Sequence, residues 1–165
     1  MPHCPKEYRI SELARHELAS IWTIDRSETI EAIYTQQDDR IRRVERHIEV
    51  PGWKTGQPEE TALEFDDAFD RGAAFIGAFH VGIESAKSGD RDGASAELAG
   101  VSVLDSRFFG PGETTLQLLF MHVSAAHRHR GLGRRLFLAA ADEARRRGAT
   151  RLYVSATGSD HALNF

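Results

Sequence analysis

The sequence predicts an α/β domain, a mixed sheet flanked by helices, and three observations carry that prediction. Residues 116–148 read as an apolar strand, a short basic turn with two glycines, and an alanine-rich helix. A further strand over 151–156 follows after a short connection, so strand, helix and strand form a right-handed parallel unit. Upstream, a helix over 59–71 precedes two apolar strands, 73–81 and 97–104.

From the N-terminus, Tyr8-Arg9-Ile10 reads as a short first strand. Ser11 followed by Glu12 marks a helix start, with Leu13, Leu18, Ile21 and Trp22 as its buried face and an end near Ile24. Asp25-Arg26-Ser27-Glu28 breaks the pattern. Ser27 there caps a second short helix through Ile30, Ile33 and Tyr34, or the cluster is a cap with a surface ion pair. Residues 38–50 alternate charged and apolar side chains over Ile41, Val44, Ile48 and Val50, which suits a strand or an irregular extension, and Pro51-Gly52 stops them. Trp53 beside that turn either covers the core or closes over a substrate. In the helix 59–71 the apolar side is Leu63, Phe65, Ala68 and Phe69, with Gly72 at its end. The connector 82–95, with Ser85, Ser88, Gly89, Asp90, Asp92 and Gly93, is expected to be a mobile exposed loop. Phe109-Gly110-Pro111-Gly112 makes a polar turn into the next strand. In the long helix Leu132, Leu136, Ala140 and Ala144 form one stripe, with Phe137 and Ala141 beside it. Gly148 stops the helix after Arg145-Arg146-Arg147, a cationic last turn that complements the helix dipole.

A chain of 165 residues fits one domain with a real core. With 28% charged and 41% apolar residues it reads as soluble, and a net charge of −4 argues against a nucleic-acid partner. Cys4 is the only cysteine, which excludes an intramolecular disulfide and a cysteine-based metal cluster, and eight scattered histidines show no metal-ligand spacing. The longest apolar run, 136–141, is too short for a bilayer, and Met1-Pro2-His3-Cys4 opens no signal peptide. A cytoplasmic protein without a membrane partner is expected.

The turn at 128–133 is suited to an anion. The first amides of a helix have no carbonyl partners within it, and the macrodipole makes that end electropositive. Gly131 and Gly133 let the backbone come close to a bulky ligand, and Arg128, Arg130, Arg134 and Arg135 add positive charge. A dinucleotide fingerprint fails, because its third glycine would be Leu136 and no acid ends the next strand. A Walker loop fails because Arg134-Arg135 follows Gly133.

What remains is Arg128-x-x-Gly131-x-Gly133 after a strand that ends in Val123, five residues before Arg128. This resembles the acetyl-CoA pyrophosphate motif of the Gcn5-related N-acetyltransferases, the GNAT family, well over 73–165 and loosely before. The resemblance implies a centrally splayed sheet, acetyl-CoA as cofactor and acetyl transfer to a small-molecule or peptide amine. Pyrophosphate would fall on the amides of Arg128, His129, Arg130, Gly131, Leu132, Gly133 and Arg134. Pantetheine would pair with the strand edge at Met121, His122 and Val123 as an added strand would, and Ser159 would join the cofactor site. The Val123 N–H would serve catalysis by donating to the thioester oxygen.

A base is harder to place. The family often carries Glu or His six residues before the valine, and here Gln117 stands there, which orients a water but takes no proton. His122 titrates near neutrality, yet in a regular strand it faces away from Gln117 unless a bulge intervenes. Glu97 and Asp105 are further candidates, and His127 and His129 read as surface residues beside phosphate. The first part of the chain, with its two helices and their joint, would wall the acceptor site.

Residues 156–165 look like the start of the family's next helix, which commonly ends Asn-Phe-Tyr and leads into two strands; the tyrosine often protonates the departing thiolate. The sequence ends at Phe165. Without those strands 151–156 would be an open sheet edge. A shortened form, or a homo-oligomer covering the edge, is expected, with slower turnover than a version extended past Phe165. The rival readings are a non-catalytic acyl-CoA-binding module and another nucleotide binder using the same turn.

Overall fold

The computed structural model describes residues 7–81, 96–156 and 159. In chain order these form β1 (Tyr8–Glu12), a 3-10 helix (Arg15–Thr23), β2 (Glu28–Gln37), β3 (Arg40–Val50), α1 (Gln57–Asp70), β4 (Ala74–His80), β5 (Glu97–Leu104), β6 (Thr115–Val123), α2 (Leu132–Arg146) and β7 (Arg151–Val154). Five strands make one sheet in the order β1-β4-β5-β6-β7, antiparallel except for the β6–β7 pair, while β2 and β3 form a separate hairpin.

Alternation along the central strands fills both faces of the sheet. Ala74, Ile76 and Ala78 of β4 point to the side where Leu132, Leu136, Ala140 and Ala144 of α2 pack. Phe75 and Phe79 point to the other side, against Leu18 and Ile21 of the 3-10 helix and Phe65 and Ala68 of α1. The stripe expected on the long helix is the buried stripe observed. Gly100 of β5 lies opposite Val123, and a Cβ there would come within 3.0 Å of the His122 carbonyl oxygen and of Leu136 Cδ1. Only a residue without a side chain lets helix and strands close to that spacing.

Several expected elements differ. The helix expected from Ser11 to Ile24 is a strand through Glu12 and then the 3-10 helix, because Ser11 and Glu12 pair with Gly77 and Ile76. Glu17 caps that helix, its carboxylate accepting the Ala14 N–H at 2.8 Å. The second short helix is strand β2. Ile30 and Tyr34 share a helical spacing with Ile33, but they also alternate with Ala32, which is fully buried, and the β-branched Thr29, Ile30, Ile33 and Thr35 favour the extended chain. Asp38 and Asp39 both take positive φ, which a two-residue hairpin turn between Gln37 and Arg40 requires. Leu63, placed on the apolar side of α1, is 74% exposed. The connector 82–95 and the Asn-Phe end lie outside the described residues; Ser159, which is described, forms a bridge to Ile33 of β2. Among the described residues, the arginines ending α2 pair along the helix with Asp142 and Glu143, and Arg147 also donates to the Gly72 carbonyl at 2.7 Å.

Candidate active site

Strand β6 pairs with β7 only from Thr115 to Leu118. β7 ends at Val154, opposite Leu118, so among the described residues the β7-facing edge of 119–123 has no strand partner. The next residue shows which amide points into that gap. Ser124 N donates to the Ala99 carbonyl of β5 at 2.8 Å, and amides alternate sides along a strand. The Val123 N–H therefore points away from β5 into the gap, beside Met121 and His122, as an oxyanion donor and a paired pantetheine both need.

After Val123 the chain makes a short 3-10 turn (Ala125–His127) and reaches the glycine turn. His129 has φ 60° and Gly131 has φ 74°, while Arg128 has φ −71° and Arg130 stays out of the positive region. Residues of alternating handedness turn successive N–H groups inward as an anion-binding nest, and here the nest opens onto the first turn of α2. His129, Arg130, Gly131 and Arg134 are exposed, and a Cβ added at Gly131 meets nothing within 4 Å. The buried Leu132 roots the turn in the core. An unfilled backbone concavity with inward amides fits a diphosphate.

Arg128, expected among the cations around that diphosphate, has its side chain committed elsewhere. Its guanidinium donates to the carbonyls of Val123 at 3.0 Å, Ser27 at 2.7 Å and Asp25 at 3.3 Å. The Asp25 carbonyl also accepts the Ala125 amide, and Ser124 Oγ accepts the Asp25 amide. The joint at 25–27 is thus fastened to the turn at 123–128. His127, expected at the surface, is buried, with Nδ1 2.9 Å from the Tyr8 hydroxyl and Nε2 3.5 Å from Glu97. Ser159 is buried against β2 through its bridge to Ile33.

On the opposite face of the sheet from α2, a cleft of about 460 Å³ opens between α1 and β6, lined among others by Arg26, Phe65, Arg71, Phe120 and His122. A bulge brings His122 there. Val103 pairs with Phe120 and Leu104 with Leu118, which leaves Leu119 as an extra residue and reverses the alternation beyond it. Leu119 and Phe120 consequently face the same side, and His122 follows Phe120, their rings 4.7 Å apart. His122 lines the cleft, and Gln117 is not among its lining residues. Asp105 is buried and engaged by the Ser106 amide, Arg107 and Arg71, so it is no free base.

Burial foremost, then the charges of Arg26 and Arg128, push the His122 pKa down to about 4. An imidazole in the unfolded chain titrates near 6.5. Between about pH 6.5 and pH 4 the unfolded state therefore binds a proton that the folded state refuses. His122 contributes its stability in full above that window and loses it as pH falls, up to about 3 kcal/mol in all. The denaturant midpoint is expected to drop between pH 7 and pH 5, and to drop measurably less in His122→Gln.

A model of the acetyltransferase (GNAT) family matches residues 46–165. This chain belongs to the GNAT acetyltransferase family. The solved structures agree on the fold of this GNAT domain. A nourseothricin acetyltransferase superposes with a TM-score of 0.66 at 18% identity, covering 96% of this chain and 79% of that one. A Bacillus anthracis protein taken to be a streptothricin acetyltransferase, in complex with acetyl coenzyme A, gives 0.60 at 16% identity, covering 96% and 78%. An acetyltransferase of Trypanosoma brucei gives 0.56 at 14%, covering 96% and 87%. No curated protein matches the chain.

The sequence offers the joint at 25–28 and Trp53 as candidate parts of an acceptor wall, but not their meeting with Phe120 beside the cleft. Arg26, Trp53 and Phe120 meet there: the Trp53 and Phe120 rings stack at 5.9 Å and 13°, and the Arg26 guanidinium lies 4.4 Å over Trp53. Trp53 is fixed by its Nε1–H donating to the Ile24 carbonyl at 3.0 Å. The polar joint at 25–28 and a tryptophan after a Pro-Gly turn were the available signals. No described helix is long and apolar enough to cross a membrane, and no described cluster of His, Cys, Asp or Glu suits a metal ion.

Proposed function

We propose that this chain transfers an acetyl group from acetyl-CoA to an amine. The observation that carries the reading is the continuity of one unit: an unpaired strand edge with the Val123 N–H in its gap, followed within a few residues by an exposed anion nest at a helix mouth. The nest amides from His129 to Arg134 would hold the diphosphate, the edge at 121–123 would pair with pantetheine, and the cofactor would supply the acetyl thioester. The Val123 amide then stabilises the negative charge that develops on the carbonyl oxygen when the amine attacks.

The attacking nitrogen must be neutral. Gln117 accepts no proton, and His122 with a pKa of about 4 is a weak acceptor at neutral pH. The burial and positive charge that hold His122 neutral also disfavour an ammonium beside it. The cleft therefore selects the free amine, and the proton lost on attack leaves through water ordered at these polar atoms.

Thermal shift with acetyl-CoA, CoA, ATP and NADH, followed by free-thiol release with a panel of amines, tests the reading. The expected result is stabilisation by acetyl-CoA and CoA alone, with thiol release by at least one amine. Stabilisation by CoA without thiol release would favour an acyl-CoA-binding module, and stabilisation by ATP or NADH another nucleotide binder.

A further inference from the structure

The cleft holds a cation that acetyl transfer alone does not require. Arg26 lies over Trp53, its guanidinium carbon 4.4 Å from that ring centroid and 5.7 Å from that of Phe120. Its Nε–H is buried without a hydrogen-bond partner, burial lowers its pKa, and the nearby charge of Glu28 partly offsets that. The other two arginines of the cleft pair with carboxylates, Arg71 with Asp67 and Asp105 and Arg107 with Asp105, although the Arg71 Nε–H also lacks a partner. A buried charged donor left unmatched is costly, and a guanidinium stacked on a fixed ring presents its N–H edge in a set direction.

The backbone around Arg26 is fixed as well. The carbonyls on either side of it, of Asp25 and Ser27, are both held by Arg128. Arg26 is thus clamped at the main chain from the cofactor side and at the side chain by an aromatic plate. Such pre-organisation serves recognition of a planar anion, since a carboxylate offers two oxygens to the fork of an arginine.

We infer that the acceptor is a small amine that also carries a carboxylate, with the carboxylate on Arg26 and its apolar part along Leu119 and Phe120. The inference rests on reading the cleft as the acceptor site. An uncharged or wholly cationic amine brings Arg26 no such partner.

Isothermal titration of the CoA-saturated protein with L-phenylalanine, L-phenylalaninamide and phenethylamine tests it. The amino acid is expected to bind at least about 10-fold more tightly than its amide, with Arg26→Gln bringing the two within about 2-fold and Arg26→Lys keeping several-fold of the preference. Melting curves establish that both variants fold, and partial rescue by lysine separates anion reading from a structural role. Equal binding of amino acid and amide by the wild-type protein, failure of the amino acid to bind, or an undiminished preference in Arg26→Gln would overturn the inference. Carboxylate-selective binding without thiol release would sink the transfer reaction and leave the inference standing. Thiol release indifferent to the carboxylate would do the reverse.

Discussion

Replacing Gly131 by Asp is expected to raise the dissociation constant for CoA by at least about 100-fold, which corresponds to about 2.7 kcal/mol, while the protein stays folded. The backbone at Gly131 has φ 74°, and an L-residue there costs about 1–2 kcal/mol, Asp being among the more tolerant types. A Cβ at this position meets no atom within 4 Å, so nothing in the protein is displaced. The new carboxylate would moreover sit at the N-cap of α2, where Asp satisfies first-turn amides and favours the helix. Those are the amides proposed for the diphosphate. The substitution thus fills the nest with the protein's own anion, repels the ligand's charge, and offsets much of the backbone strain. Titration calorimetry with CoA and a melting curve read the two halves, and Gly131→Ala, with the strain but no charge, should lose less than about 10-fold. Unchanged affinity in Gly131→Asp would remove the diphosphate from this turn.

Arg128→Gln is expected to show the opposite pattern, a loss of about 2–4 kcal/mol of stability with only a modest loss of CoA affinity. Three carbonyls depend on this half-buried guanidinium, and hydrogen bonds to charged groups contribute roughly 1.5–3 kcal/mol each before discounting for exposure. Glutamine is shorter, carries no charge and offers two donors on one nitrogen. It cannot span Val123, Ser27 and Asp25 together. Denaturant unfolding measures the first effect and calorimetry the second. A collapse of CoA affinity at unchanged stability would instead make Arg128 a phosphate ligand. The His122 pKa should also rise in this variant, because one of the two charges holding it down is gone.

The core half of the fold was legible because its signals are local. Leu132, Leu136, Ala140 and Ala144 at helical spacing, Gly131 at the mouth and Val123 at the strand end need no long-range knowledge, and each lies where expected. The rest depends on partners distant in sequence. Ser11 and Glu12 became strand because β4 offered them a free edge. Ile30, Ile33 and Tyr34 fitted a helix as well as a strand until Arg40–Val50 paired with them. His122 was assigned to the cofactor strand, and its face depended on one unpaired residue, Leu119, which no alternation pattern in β6 announces. The place of Arg26 over two aromatic rings was invisible for the same reason: Trp53 and Phe120 lie far away along the chain.

Leu136 rests against the backbone of Gly100, opposite Val123, and Leu136 stands one helical turn beyond the nest. That contact works as a gauge block. It fixes how far the nest amides, proposed for the cofactor's phosphates, stand from the Val123 amide proposed for its carbonyl, since helix and strand can neither approach nor recede without moving Leu136. An inserted or deleted residue between 124 and 130 would keep both ends chemically intact and still deliver the thioester to the wrong place.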